Sequence, residues 1–504
     1  MAILRHAPLS RRSFVLGGSA TAAVGAAGAT GYLVGYRSSR ECEVCTPDER
    51  AWRQLAQRLE GNVLRPGDAG YRQAARPNNL RYDCVMPQGI ARCRLAEDVA
   101  AAIQWCRDHD MPLALRSGGH SYAGYSTTYG LMLDLTLMNA VTFDRDTGLV
   151  TVAGGAVNSV LYAALAANNA TITHGRCPTV GAAAFLLGGG IGFNMRRNGL
   201  ACDQMVRTEL VTADGTRRAV NATDDPALFW ALRGGGGGNF GVSTSFTLQT
   251  FPANPVTVFS LQWIMKPEAV TDALMPALQA APNTLGSRLS LGAVTPDQRR
   301  RGMDVTVNLL GQLVGSRRDL LEILAPATSV AEPAKVDIRE TSYWDGQKFL
   351  SEPGDATYFQ ERSAFVDRPF GNDALAEGFR WLRDWPGTHE YCDLRFFQTG
   401  DAMNAIAPTA TAFVHRNSHW LMVVGLYWNE MDNTSPDVMR PAHDWQDGFY
   451  RAMLPFAGGG AYQNFPDPSL ADWRQSYYGV NLDHLTRIKA AIDPTNVFQF
   501  PQAL

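Results

Sequence analysis

Hydrophobic and polar positions along this chain follow two periodicities. From Asp98, the apolar residues Val99, Ala102, Ile103 and Cys106 recur at the spacing of a one-faced helix. Pro112-Leu113-Ala114-Leu115 is a short apolar run that predicts a buried strand, and it ends in the small-residue turn Arg116-Ser117-Gly118-Gly119-His120-Ser121. Gly130 to Leu135 predicts another strand. Val141 to Phe143 and Leu149 to Val152 flank the turn Asp144-Arg145-Asp146-Thr147-Gly148, which predicts a hairpin. Val157 to Ala167 predicts a helix, and the alternation of helices and strands continues to Phe251. After Pro252 and Pro255 the pattern changes. Longer runs (Met303 to Leu309, Leu394 to Phe397, Leu421 to Leu426) alternate with helical stretches such as Asp373 to Trp385, predicting a second α+β unit around an antiparallel sheet. The chain closes on a helical pattern, Leu482, Leu485, Ile488 and Ile492, stopped by Asp493-Pro494.

Composition changes this picture in three places. Hydrophobic residues make up 45% of the 504 and charged residues 18%, below the usual share of about 25%, so a large core forms and wholesale disorder is excluded. A formal charge of −3 provides no basic field, which argues against nucleic acid as the principal ligand. The first 36 residues read as an address. Ser10-Arg11-Arg12-Ser13-Phe14-Val15-Leu16 is a twin-arginine pattern. The uncharged run from Ser13 to Tyr36 carries Gly17, Gly18, Gly25, Gly28, Gly31 and Gly35, too many for a good membrane anchor. Ala27-Gly28-Ala29 is a candidate cleavage site. The expectation is export to the periplasm or beyond, without stable membrane insertion, by a route that carries folded proteins, often with cofactor already loaded. Cys42 and Cys45 form a CxxC with no second pair at zinc spacing, so a disulfide or free thiols are expected there rather than metal. Cys84 and Cys93 are a pair that an oxidising compartment would allow to bridge.

Glycine is in surplus, 48 residues, and it is clustered: Gly118-Gly119, then Gly188-Gly189-Gly190-Ile191-Gly192, then Gly234 to Gly238 followed by Asn239-Phe240-Gly241. Gly236, Gly238 and Gly241 formally match the dinucleotide fingerprint, but that fingerprint needs a helix after it. Val242 to Leu248 alternates as a strand, so the Rossmann reading fails, and the dense apolar sequence on both sides argues against a linker. Bare backbone lets a chain approach a ligand closely and offers N–H groups to anions. Three such loops suit a large cofactor bearing a pyrophosphate, with Ser117 to Ser121 the best candidate to receive it.

These loops also carry a resemblance. Arg116 to Ser121, Gly175-Arg176-Cys177-Pro178-Thr179-Val180-Gly181, Leu187 to Gly192, Asn198 to Asp203, Asp225 to Val242, Tyr462-x-Asn464 and Tyr477-Tyr478-Gly479-x-Asn481 closely resemble the berberine bridge enzyme-like FAD-linked oxidases. That family lies within the vanillyl-alcohol oxidase / p-cresol methylhydroxylase (PCMH) superfamily, and the resemblance runs from residue 50 to 504. It implies an α+β fold: a two-subdomain PCMH-type FAD-binding unit (50–251), an antiparallel-sheet substrate domain (252–453), and a C-terminal berberine-bridge-type segment (454–504) packing back on the FAD unit. It implies bicovalent FAD, with His120 bonded to the flavin 8α-methyl and Cys177 to C6. The cofactor-binding set then comprises Arg116, Ser117, Gly118, Gly119, Ser121, Val180, Gly181, Gly188, Gly190, Gly192, Asn239, Gly241 and Asn464. Tyr462 matches the family's catalytic tyrosine and would take a hydroxyl proton as hydride passes to flavin N5. Val180 matches the position that gates oxygen, and its small side chain favours an oxidase that releases hydrogen peroxide. The implied partners are a small alcohol, either a sugar or secondary-metabolite hydroxyl, and dioxygen. A dehydrogenase with another electron acceptor and an exported solute-binding protein are the competing readings.

The chain departs from the family at two positions. Phe185 stands where the plant alkaloid enzymes typically carry a histidine, and Gly400-Asp401-Ala402 stands where Gly-Gly-Ala is usual. Asp401 is expected to be a turn residue rather than part of the substrate site. Gln398, Tyr122 and His415 are further site candidates.

Overall fold

The structure, a computed structural model, describes residues 47–504. The twin-arginine stretch and the Cys42/Cys45 pair lie outside the described residues. Among the described residues the strands form four sheets. The first contains β1 (Asn62–Leu64), β2 (Gly89–Arg92), β3 (Leu113–Arg116) and β4 (Leu131–Asp134) in the order β1-β2-β4-β3. β2 and β3 both run parallel to β4. Parallel neighbours need a crossover, and the helix Ala96–Asp108 supplies it, burying Val99, Ala102, Ile103 and Cys106 as their spacing requires.

The next strands are β5 (Val141–Asp144), β6 (Leu149–Ala153), β7 (Ala170–Thr171), β8 (Met205–Val211), β9 (Arg217–Asn221), β10 (Val242–Gln249) and β11 (Phe251–Pro252). Five of them make the second sheet, β5-β6-β10-β8-β9, while β7 pairs with β11. The β5–β6 hairpin closes where Asp144 accepts from the Asp146 N–H at 2.9 Å and Gly148 takes φ +69°. The glycine run 234–238 leads into β10, so no helix follows it.

The third sheet is seven-stranded: β12 (Val256–Trp263), β13 (Leu285–Gly292), β14 (Thr306–Leu313), β15 (Lys335–Thr341), β16 (Tyr358–Val366), β17 (Cys392–Gln398) and β18 (Trp420–Trp428). Its order is β15-β12-β14-β13-β17-β18-β16, and every pair is antiparallel. Helices Pro267–Ala280, Arg317–Val330, Asn372–Arg383 and Pro436–Met453 contribute to a single apolar cluster with this sheet, in which Trp263, Phe379, Phe396, Trp420 and Phe449 are fully buried. β14 starts later than the apolar run from Met303. That residue is half exposed because it belongs to the turn closing the helix Pro296–Arg300, where its N–H bonds the Gln298 carbonyl at 3.0 Å.

The chain's end returns to the first half of the molecule. Tyr478 Oη donates to the Gly235 carbonyl at 3.1 Å, Lys489 Nζ to the Asn239 carbonyl at 2.8 Å, and the Leu504 N–H to Asn239 Oδ1 at 3.1 Å. Cys84 and Cys93, which an oxidising compartment would allow to bridge, are both free thiols, one exposed and one buried in the core. None of the described helices is long and apolar enough to cross a membrane.

Candidate active site

A cavity of about 810 Å³ opens between the first two sheets with their glycine-rich loops, the seven-stranded sheet and the C-terminal segment. Of the predicted site residues, Arg116, Ser117, Gly118, Gly119, His120, Ser121, Cys177, Val180, Gly181, Gly192, Asn239, Gly241, Tyr462 and Asn464 line it, as do Tyr122, Phe185 and Gln398. The turn after β3 delivers His120, and the loop after β7 delivers Cys177. Both meet on Thr179: its Oγ1 lies 2.9 Å from His120 Nε2 and 3.4 Å from Cys177 Sγ. Desolvation, with the nearby Arg116 charge, pushes the His120 imidazole down to about 4, so it is neutral at pH 7.

The glycines divide into two kinds. At Gly236, Gly237 and Gly238 a Cβ would meet no atom nearer than 3.5 Å, and all three line the cavity, so the room they leave is cavity room. Gly118 and Gly181 instead press backbone on backbone: a Cβ on Gly118 would lie 2.2 Å from the Gly181 nitrogen. Gly188 and Gly190, expected on the cofactor, do not line the cavity. A Cβ on Gly188 would lie 2.0 Å from Asn464 Oδ1, and one on Gly190 would lie 2.6 Å from the Ala201 methyl. A Cβ on Gly190 would also lie 2.8 Å from the Phe185 ring, so the two glycines make room for Asn464 and Phe185, which do line the cavity.

Those side chains form a unit. Tyr462 is buried, and its Oη accepts from the Gly190 N–H at 2.9 Å and from Asn464 Nδ2 at 3.1 Å. Asn464 Nδ2 is also 3.1 Å from the Phe185 carbonyl. Burial raises the phenol, and the two donors oppose that rise by stabilising its anion.

Three expectations need comment. The Arg116 guanidinium, expected on the cofactor, is not free for a phosphate. It donates to the carbonyls of Ala74, Ala75, Arg76 and Ser126, stitching the turn to neighbouring loops. His415 does not line the cavity; it stacks on Phe365 at 4.3 Å, behind Tyr462. Asp401 is a turn residue, as expected, with φ +50°, and it ion-pairs with Arg196 at 2.5 Å away from the cavity.

Sequence reasoning missed one wall of the cavity. β13, β16, β17 and β18 place Arg288, Glu361, Arg395 and Tyr427 on the cavity, joined by Arg176, Glu352 and Tyr391. β16 is buried from Phe359 to Val366, so its sequence shows no alternation that would reveal the inner face. Charge among apolar residues was the available signal on β17, where Asp393 and Arg395 interrupt an apolar run, and such charges are rarely buried unless paired.

Comparison with known proteins now bears on this geometry. The family described as FAD binding domain matches residues 87–221, and the family described as berberine and berberine like matches residues 461–504. An FAD-linked oxidoreductase of Bacillus subtilis, YgaK, is 30% identical over 89% of this chain and 97% of its own length. The chain belongs to the berberine bridge enzyme-like FAD-linked oxidoreductases. Glucooligosaccharide oxidase of Sarocladium strictum, another relative, is 30% identical over 83% of this chain and 87% of its own. Among solved structures, wild-type BBE-like 1 of Physcomitrella patens superposes with a TM-score of 0.79 at 25% identity, covering 90% of this chain and 98% of that one. A glucooligosaccharide oxidase from Acremonium strictum, studied for its 6-S-cysteinyl, 8α-N1-histidyl FAD, gives 0.79 at 26%, covering 90% and 100%. As a berberine bridge enzyme-like protein, the chain is an FAD-linked oxidoreductase, and the glycine cradle at 236–238 suits the cofactor that the family requires.

Proposed function

We propose that this chain is an exported FAD oxidase acting on an alcohol, with the flavin bonded to His120 and Cys177, Tyr462 as base and dioxygen as the final electron acceptor. The observation that carries the reading is the convergence of His120 and Cys177 on Thr179, in one cavity with the doubly hydrogen-bonded Tyr462. The 6-S-cysteinyl, 8α-N1-histidyl flavin of the glucooligosaccharide oxidase supports the double attachment. A neutral imidazole keeps the lone pair that attachment needs, and a thiol beside it supplies the second nucleophile.

Bound in this cavity, FAD supplies the two-electron acceptor for the substrate's hydride and the route by which electrons reach dioxygen. This chain's residues handle the proton. Tyr462 Oη, as the phenolate, would take it from the substrate hydroxyl and become the phenol, and the Gly190 N–H and Asn464 Nδ2 donate to that oxygen and stabilise its anion. Val180 stands on the cavity wall as a small side chain that leaves dioxygen room to enter. Export rests on the twin-arginine stretch of the sequence.

Acid-precipitated protein is expected to stay yellow, and a colourless pellet would reject covalent attachment. Replacing both His120 and Cys177 by alanine releases the flavin, while either single change leaves it bonded. Turnover of a sugar or aromatic alcohol is expected to release hydrogen peroxide. Slow reoxidation in air would make the enzyme a dehydrogenase instead.

A further inference from the structure

One wall of the cavity holds three arginines, and their donors are unevenly satisfied. Arg395 is saturated: it grips Asp393 through two bonds, 2.9 and 2.8 Å, and donates to Glu361 Oε1 at 2.9 Å and to Tyr427 Oη at 3.2 Å. Arg176 and Arg288 share a single carboxylate oxygen, Oε1 of Glu352, with Arg288 at 2.8 Å. Arg176 spends another donor on the Leu350 carbonyl at 3.0 Å. The two guanidinium side chains are 10% and 20% exposed, whereas Glu352 is 42% exposed. Two largely desolvated cations therefore depend on one half-wet anion. Arg288 Nε is buried without a partner, and only one of its three nitrogens is engaged by the protein.

An unbalanced cation away from water is costly unless an anion joins it. Desolvation holds both arginines below the usual guanidinium range, helped by repulsion from Arg288 and Arg395 on Arg176 and from Arg395 on Arg288. The other carboxylates on this wall do not fill the gap. Glu361 and Asp393 are both bound to Arg395, and Asp355 and Glu390 are exposed in water. Counted with Arg395 and its two carboxylates, three arginines meet three paired carboxylates, so what is left over is local: Arg288 keeps Nε and one terminal nitrogen without an acceptor, donors that one anion would fill. A guanidinium presents its donors as a planar fork, and the matching planar acceptor is a carboxylate. Beside the arginines runs a stack of rings. Phe359 and Tyr427 are 6.0 Å apart at 25°, and Tyr427 and the exposed Tyr391 are 4.5 Å apart at 21°, so the wall also offers faces to a ring.

We infer that the substrate alcohol carries a carboxylate on a ring, docked on Arg288 with Arg176 beside it. The inference rests on the proposed alcohol oxidation in the same cavity and assigns the class of alcohol.

Two matched pairs test it on the flavin-loaded enzyme: glucuronate against glucose, and 4-(hydroxymethyl)benzoate against benzyl alcohol. Binding is read from the perturbation of the flavin visible spectrum, so it does not depend on turnover. At least one acid is expected to bind about tenfold or more tightly than its neutral partner, the scale of a charge-assisted hydrogen bond. Arg288→Gln should bring that ratio close to one, and Arg288→Lys should restore part of it. Neutral partners binding as tightly in both pairs, or an Arg288→Gln effect equal on acid and neutral, would overturn the inference. Peroxide release is measured separately. Acids that bind by this pattern without being oxidised would count against the oxidase reading while leaving the carboxylate site standing.

Discussion

Tyr462 is a phenol whose oxygen receives two N–H donors and lies in a desolvated pocket. Removing its hydroxyl in Tyr462→Phe is expected to lower kcat by roughly 10²–10⁴-fold, the usual worth of a positioned base, with the protein still yellow. Near-normal turnover would reject the role. The donors lower a phenol that burial raises, so deleting one raises it further. For Asn464→Ala, the pH at which kcat/KM rises should therefore move to higher pH. Gly188→Ala should act in the same direction, because its Cβ would lie 2.0 Å from Asn464 Oδ1 and push that amide off the phenol. An unchanged pH profile in both variants would separate Asn464 from proton transfer. None of this was visible in the Tyr-x-Asn spacing, which identified the residues by resemblance but not the oxygen they share.

At the scale of elements, the turn after β3 illustrates how a motif can be found for a partly mistaken reason. Its small residues suggested backbone laid against a cofactor. The turn does line the cavity, yet Gly118 is required first by the chain itself, because Gly181 occupies the space of its side chain. Gly118→Ala is expected to cost roughly 1–3 kcal/mol, the range for overpacking a filled core, measured by urea unfolding of the flavin-free protein. Stability equal to the parent would mean the two loops can part. The hairpin of β5 and β6, the crossover helix and β10 were legible because each buries one face and keeps a period. β16 was not, since both of its faces are covered. On β13 and β17 the apolar Leu289, Leu291, Leu394 and Phe396 do alternate with Arg288 and Arg395, but the order of residues does not say which face meets the cavity, so these cavity-lining charges escaped sequence reasoning.

The whole molecule carries its own pH dependence. His174, His415 and His443 are each pushed by burial to about 4, below their ordinary 6.5. Between those values the unfolded chain binds protons that the folded chain refuses, so stability rises with pH across the window. The contribution is complete above about 6.5 and is lost as pH falls toward 4. Calorimetry should give a lower Tm at pH 5 than at pH 7.5, and His415→Phe, which keeps the ring stacked on Phe365, should narrow the difference. A Tm independent of pH would mean these imidazoles are solvated. By itself the amino-acid sequence determined the helices and strands with a period, the glycine clusters, and the ordered motifs that tie the chain to its family, because those are local properties of neighbouring residues. Tertiary structure alone decided which glycines face the cavity and which face another chain segment. It also brought His120 and Cys177 onto one threonine, set Gly190 against Tyr462 from 272 positions away, and left two arginines sharing one carboxylate. Hydrogen bonds and desolvated charges depend on distances in space, and a linear order does not specify those until the sheets have closed around the cavity.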